Sequence, residues 1–101
     1  MARRRRFSED GFGETLERLM TENGVTFRGL ASKTQLSAGY LNHLVHGNRP
    51  VPSTDVIERL ADALGVGAEH FREYRLRVIT ERLERSPAQI DRLYKQLRAK
   101  R

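Results

Sequence analysis

The chain has 101 residues, a net charge of +6, 38% hydrophobic and 32% charged residues, and no cysteine. That composition suits one small domain with appendages and excludes a disulfide framework or a thiolate zinc site. No apolar run approaches the roughly 18 residues of a membrane span, and no apolar segment follows the N-terminal arginines as a secretory signal would require, so no membrane association is expected and an intracellular setting fits.

The first eleven residues read as a basic flexible arm, with Arg3, Arg4, Arg5 and Arg6 followed by a polar Ser-Glu-Asp-Gly stretch. Helical spacing of Phe12, Leu16, Leu19 and Met20 predicts a first helix from about Phe12, stopped at Asn23-Gly24. Thr26 is placed to cap a second helix over about Phe27 to Thr34, with Phe27, Leu30 and Ala31 inward. Ser37 is placed to cap a third, with Leu41 and Leu44 inward, ending at Gly47-Asn48. Pro50 and Pro52 impose an extended linker. Ser53 caps a fourth helix lined by Val56, Ile57, Leu60, Ala61 and Leu64, and Gly65 closes it. A fifth helix is expected from Gly67 or Ala68 to about Arg85. Ser86-Pro87-Ala88-Gln89 carries the signature of a new helix start, and a sixth helix follows with Ile90, Leu93, Tyr94 and Leu97.

The charges are unevenly spread. Residues 7 to 71 hold five basic and nine acidic side chains, whereas residues 72 to 101 hold ten basic and four acidic. Between Asn23 and Thr54 there is no Asp or Glu, although the chain carries 13 acids. Two short helices joined by a tight turn and cleared of negative charge suit approach to a polyanion, which makes nucleic acid the first expectation.

The fifth helix carries two apolar stripes. Phe71, Tyr74 and Val78 lie on one side and Leu76, Ile79 and Leu83 roughly 140° away at 100° per residue. The first stripe is expected on the helical core. The second needs another surface, either the sixth helix or another subunit. Glu73 with Arg77, Glu81 with Arg85, and Asp91 with Lys95 are spaced for i,i+4 pairing on exposed faces.

His43 and His46 stand three residues apart, but no third ligand is near, so no metal and no cofactor is expected. No nucleophile–base arrangement or phosphate-cradling glycine loop is recognisable, and enzymatic activity is not expected.

The stretch GVTFRGLASKTQLSAGYLNHLVHGNRPVPS followed by VIERLADALGV resembles the XRE-type family of phage-repressor and Cro-like regulators. The resemblance covers about residues 12 to 70. It rests on Leu30-Ala31, Leu41, Leu44, Gly47, Arg49-Pro50 and the Leu-Ala…Leu-Gly-Val of the fourth helix. Phe27 stands where the family commonly has Gln, Gln35 where it commonly has Gly, and Val45 where it often has Glu.

The resemblance implies an all-α fold: a five-helix DNA-binding domain over residues 12–70 with a helix-turn-helix, and a C-terminal helical extension over 71–101. It implies a sequence-specific regulator of double-stranded DNA, cytoplasmic and encoded by a bacterium or phage, acting as a homodimer on a palindromic operator and repressing transcription. By the same resemblance Ser37, Ala38, Gly39, Asn42, His43 and His46 face bases, the histidines as donors to guanine or phosphate. Arg28, Lys33, Tyr40, Asn48 and Arg49 face phosphates. Arg3 to Arg6 form a possible DNA arm. The apolar pattern of the extension makes Leu76, Ile79, Leu83, Ile90, Leu93, Tyr94 and Leu97 a candidate dimer interface. The alternative is an antitoxin-like or adaptor chain whose last two helices hold a protein partner.

Overall fold

The computed structural model describes residues 7–99. Six α-helices follow in order: α1 (Phe12–Asn23), α2 (Phe27–Thr34), α3 (Ala38–Val45), α4 (Thr54–Ala63), α5 (Arg72–Glu84) and α6 (Pro87–Ala99). A 3₁₀ turn at Ala68–His70 separates α4 from α5. There is no strand among the described residues.

Local chemistry sets the helix ends. α1 stops where Gly24 turns left-handed at φ +63° and its N–H reaches back to the last-turn carbonyls, a conformation glycine adopts without a Cβ penalty. Thr26, Ser37 and Ser53 cap α2, α3 and α4, their hydroxyl oxygens accepting from the N–H groups of Gly29, Tyr40 and Val56 at 3.0, 3.0 and 3.4 Å. Such a cap contributes about 1 kcal/mol.

The apolar faces of α1 to α4 converge on one core. Phe12, Leu16 and Leu19 of α1 meet Leu30 of α2, Leu41 and Leu44 of α3, and Ile57 and Leu60 of α4, all buried. Phe71 closes the core, its ring centroid 4.8 Å from that of Phe12. Gly13 lets α1 rest on the end of α3: a Cβ there would lie 2.6 Å from the Val45 carbonyl oxygen. Arg59 of α4 donates to the Thr34 carbonyl at 2.8 Å and so ties down the last turn of α2.

Four expectations need correction. The flexible arm assigned to residues 1–11 does not extend to Ser8, which is buried. Its N–H donates to the His70 carbonyl at 2.8 Å, and its hydroxyl lies 2.7 Å from that of Thr15. Residues 1–6, with the four arginines, lie outside the described residues.

The fifth helix is not continuous from residue 67 or 68. It breaks at Phe71, which is extended at φ −83° and ψ 128°, because burying that ring turns the chain before α5 begins. Nor does the first stripe of α5 lie wholly on the core. Tyr74 packs against it, but Val78 is 50% exposed, since α5 leaves the core beyond Arg77.

The three i,i+4 pairs expected on α5 and α6 do not form. Glu73 instead lies 3.3 Å from Arg72, and Arg77 turns toward the loop before α4.

α5 and α6 pack on each other as a hairpin, and neither contains a buried residue. The radius of gyration is 16.1 Å, against about 13 Å for a compact chain of this length. The hairpin accounts for the difference by projecting from the core.

Candidate nucleic-acid interface

α2 and α3 sit on the core through Leu30, Leu41 and Leu44, and that contact decides what they show outward. In α3 the buried Leu41 and Leu44 leave Gly39, Asn42, His43 and His46 exposed. These four are spaced i, i+3, i+4 and i+7, one continuous face of a helix. α3 spans eight residues, about 12 Å long at 1.5 Å per residue, and the major groove is about 12 Å wide.

The remaining sequence-predicted positions are spread around this face. Ser37 is exposed, with its hydroxyl oxygen already accepting the Tyr40 N–H. Ala38 and Tyr40 are half-buried, and Tyr40 packs against the core. Arg28 on the first turn of α2, Lys33 on its last turn, and Asn48 and Arg49 after α3 are all exposed.

Gly39 has nothing within 4 Å of the place a Cβ would occupy. No packing inside the molecule requires glycine there, and glycine in a helix costs about 1 kcal/mol relative to alanine. The bare backbone at this point leaves room for something approaching from outside.

His46 is engaged locally. Its Nδ1 lies 2.8 Å from the Asn42 carbonyl oxygen and donates to it. In the neutral ring that leaves Nε2 as an acceptor. The donor role to guanine expected of His46 therefore does not follow for neutral imidazole; this atom matches an amino group, such as those of adenine or cytosine.

The turn between α2 and α3 departs from ordinary backbone. Gln35 adopts φ +65°, the one non-glycine residue in the left-handed region among those described. Its N–H caps α2 by donating to the Ala31 carbonyl at 2.9 Å. Holding a residue with a Cβ there costs about 1–2 kcal/mol.

Charge pairing separates this face from the rest. Arg18 pairs with Asp10, Arg59 with Asp55, and Arg72 with Glu73. Arg75 and Arg77 donate to backbone carbonyls. Arg28, Lys33 and Arg49 alone among the cations of residues 7–77 make no such contact, and all three lie in the acid-free stretch. Carboxylates or backbone carbonyls engage the other cations; these three remain available to an external anion.

Sequence reading missed Arg59 and Gly13, which hold this face in place. Arg59 acts across 25 residues, and Gly13 acts through a crossing of α1 and α3 that no local pattern encodes.

Comparison with known proteins agrees with this geometry. A family model described as a helix-turn-helix domain matches residues 12–74. A crystal structure of the clp gene regulator ClgR from Corynebacterium glutamicum is 30% identical, with a TM-score of 0.54, covering 73% of this chain and 83% of that one. SinR, described as the master regulator for biofilm formation, in complex with DNA, shares the fold at 23% identity and a TM-score of 0.54, over 56% of this chain and 90% of that one. A complex of SinR with SinI shares it at 17% identity and a TM-score of 0.57, over 89% of this chain and 99% of that one. No curated protein gives a significant match.

Proposed function

Because the chain belongs to the helix-turn-helix family of XRE-type DNA-binding regulators, we propose that it is a transcriptional repressor that binds a palindromic operator as a homodimer. The observation that carries this reading is the acid-free face on which Arg28, Lys33 and Arg49 stand unpaired around the exposed stripe of α3. In this reading α3 enters the major groove, and the three cations hold phosphates on either side of it.

Specificity rests on a short set of readers. Asn42 has the donor and acceptor to pair with N7 and N6 of adenine. His43 is exposed beside it, and the neutral ring of His46 presents an acceptor. Ala38 and Gly39 allow close approach, including to thymine methyl groups. Tyr40 and Asn48 support phosphate contacts at the edges of the face. Arg3 to Arg6, outside the described residues, add four positive charges to the electrostatic footprint.

Dimerisation in this reading uses the hairpin. Leu76, Ile79, Tyr94 and Leu97 are 54–61% exposed, and Ile90 and Leu93 are 42% and 37% exposed. Leu83 is half-buried against α6, so α6 covers only the end of the second stripe. Two hairpins related by a twofold axis would cover the rest. The recognition helices would then meet half-sites about 10 bp apart, or a multiple of that. With the promoter covered, repression needs no further domain.

The same apolar surface favours a second reading, in which the hairpin holds a different protein. One fold neighbour, over 89% of this chain, is a complex of SinR with the protein SinI. Light scattering on purified protein separates the two, since a self-sufficient dimer supports the first and a monomer the second.

Selection from random duplex DNA tests the main reading. A palindromic consensus is expected. Asn42→Ala and His43→Ala should each relax discrimination at one position by about 1–3 kcal/mol, whereas Arg49→Ala should weaken all sites and lower the salt slope by about 1. Unchanged base preference in both reader variants would remove Asn42 and His43 from the readout.

A further inference from the structure

The hairpin joins the core through a short root with an unusual composition. Phe71 is fully buried at its base, and Tyr74 packs beside it. Arg75 and Arg77 then reach back from α5 to the core, and neither uses a carboxylate to do so.

Arg75 gathers three backbone carbonyls. Its Nη1 donates to Glu69 at 2.8 Å and to His70 at 3.0 Å, and its Nη2 donates to Ser8 at 2.7 Å. Its guanidinium also stacks over the Phe7 ring at 4.7 Å. Ser8 is itself fixed to α1 through Thr15 and Arg18. Arg75 therefore locks α5 to the N-terminal segment and, through it, to α1.

Arg77 braces a different side. Its guanidinium approaches the Thr54 hydroxyl at 3.4 Å and the Val51 carbonyl at 3.5 Å. Val51 lies in the connection that runs from α3 to α4, and Thr54 opens α4. One side of α5 is thus tied to the N-terminal segment and the other to the chain that follows the recognition helix. Beyond Arg77 no residue of α5 is buried, and Val78 and Ile79 are exposed.

We infer that Arg75 and Arg77 are positioning residues that set the direction in which the hairpin leaves the core, and thereby the half-site spacing that the dimer accepts. The inference rests on the dimeric reading above. Two recognition helices held through two hairpins have their separation fixed by the angle at each root. The longest dimension of the molecule is 47 Å. A swing of about 10° over roughly half that length displaces a recognition helix by about 4 Å, more than the ~3.4 Å rise of one base pair. A guanidinium suits the task because its planar fork engages several carbonyls in one geometry, which an ammonium on a flexible stem does not.

The test uses the full-length protein and duplexes built from its own selected half-site. Paired half-sites are placed with centres 8 to 14 bp apart, alongside a duplex with a single half-site. The wild type is expected to lose about tenfold in affinity for each 1 bp departure from its preferred spacing. Arg75→Ala and Arg77→Ala should flatten that profile to about threefold, while single half-site affinity stays within about threefold and light scattering still reports a dimer. Arg75→Lys should restore only part of the spacing preference. Should Arg75→Ala fail to fold, Arg77→Ala with its longer contacts carries the test. Sharp wild-type profiles in folded, dimeric variants overturn the inference alone. A wild type that binds only single half-sites as a monomer overturns the dimeric reading beneath it.

Discussion

The DNA-binding core and the C-terminal hairpin obey opposite rules, although both are helical and both carry regular apolar stripes. In the core every stripe finds its counterpart: Leu16, Leu19, Leu30, Leu41, Ile57 and Leu60 are fully buried. In the hairpin Leu76, Ile79 and Leu97 are each more than half exposed. The difference teaches that periodicity identifies the apolar side of a helix without saying whether the same chain covers it. Charge divides in the same way. Around the core most cations are paired or bonded to carbonyls, while Arg28, Lys33 and Arg49 in the acid-free stretch stand alone.

The largest effect expected from this contrast comes from truncating one leucine in each region. Leu60→Ala should cost about 3–5 kcal/mol in urea unfolding, because it opens a cavity among buried neighbours. Leu97→Ala should change the unfolding free energy of dilute, monomeric protein by less than about 0.5 kcal/mol. Equal losses at the two sites would erase the distinction between the regions.

A smaller effect tests how tightly the core holds α3. Gly13→Ala drives a methyl group into the carbonyls of Leu44 and Val45, which are backbone and yield little. A loss of about 1–3 kcal/mol is expected from such overpacking. Thermal melting checks it, and an unchanged midpoint would show that the α1–α3 crossing relaxes freely.

The smallest effect should have the opposite sign. Gln35→Gly relieves the left-handed strain in the turn between α2 and α3, and should stabilise the core by about 0.5–1 kcal/mol after the added flexibility of the unfolded chain is counted. Denaturant midpoints measure it. A destabilised variant would mean that the Gln35 side chain contributes more than its backbone costs.

Much of this was legible in the sequence because it is local. The caps at Thr26, Ser37 and Ser53, the stop at Gly24 and the apolar faces of α1 to α4 each depend on residues within a few positions of one another. The exposed stripe of α3 was legible for the same reason, as the face left over once Leu41 and Leu44 are buried. What escaped depends on residues far apart in the chain. The burial of Ser8 requires Thr15, His70 and Arg75 together. The break at Phe71 arises from its packing on Phe12. The local bond of His46 was open to inference from its i,i+4 relation to Asn42, but spacing alone does not choose between a backbone acceptor and a base. Arg77 was misassigned because an i,i+4 partner in sequence competes with carbonyls that only the fold brings near.

The seat of Ser8 also bears on how the chain is made. Arg75, which binds its carbonyl, follows 67 residues later. At about 5–20 residues per second, the N-terminal segment waits roughly 3–13 s on the ribosome before that partner is synthesised. Helix α4 ends at Ala63, 12 residues before Arg75, so it is synthesised only about 0.6–2.4 s ahead of that partner. The segment that locks the root of α5 is therefore made before its partner and seated only after it, so the hairpin acquires its direction once both are present.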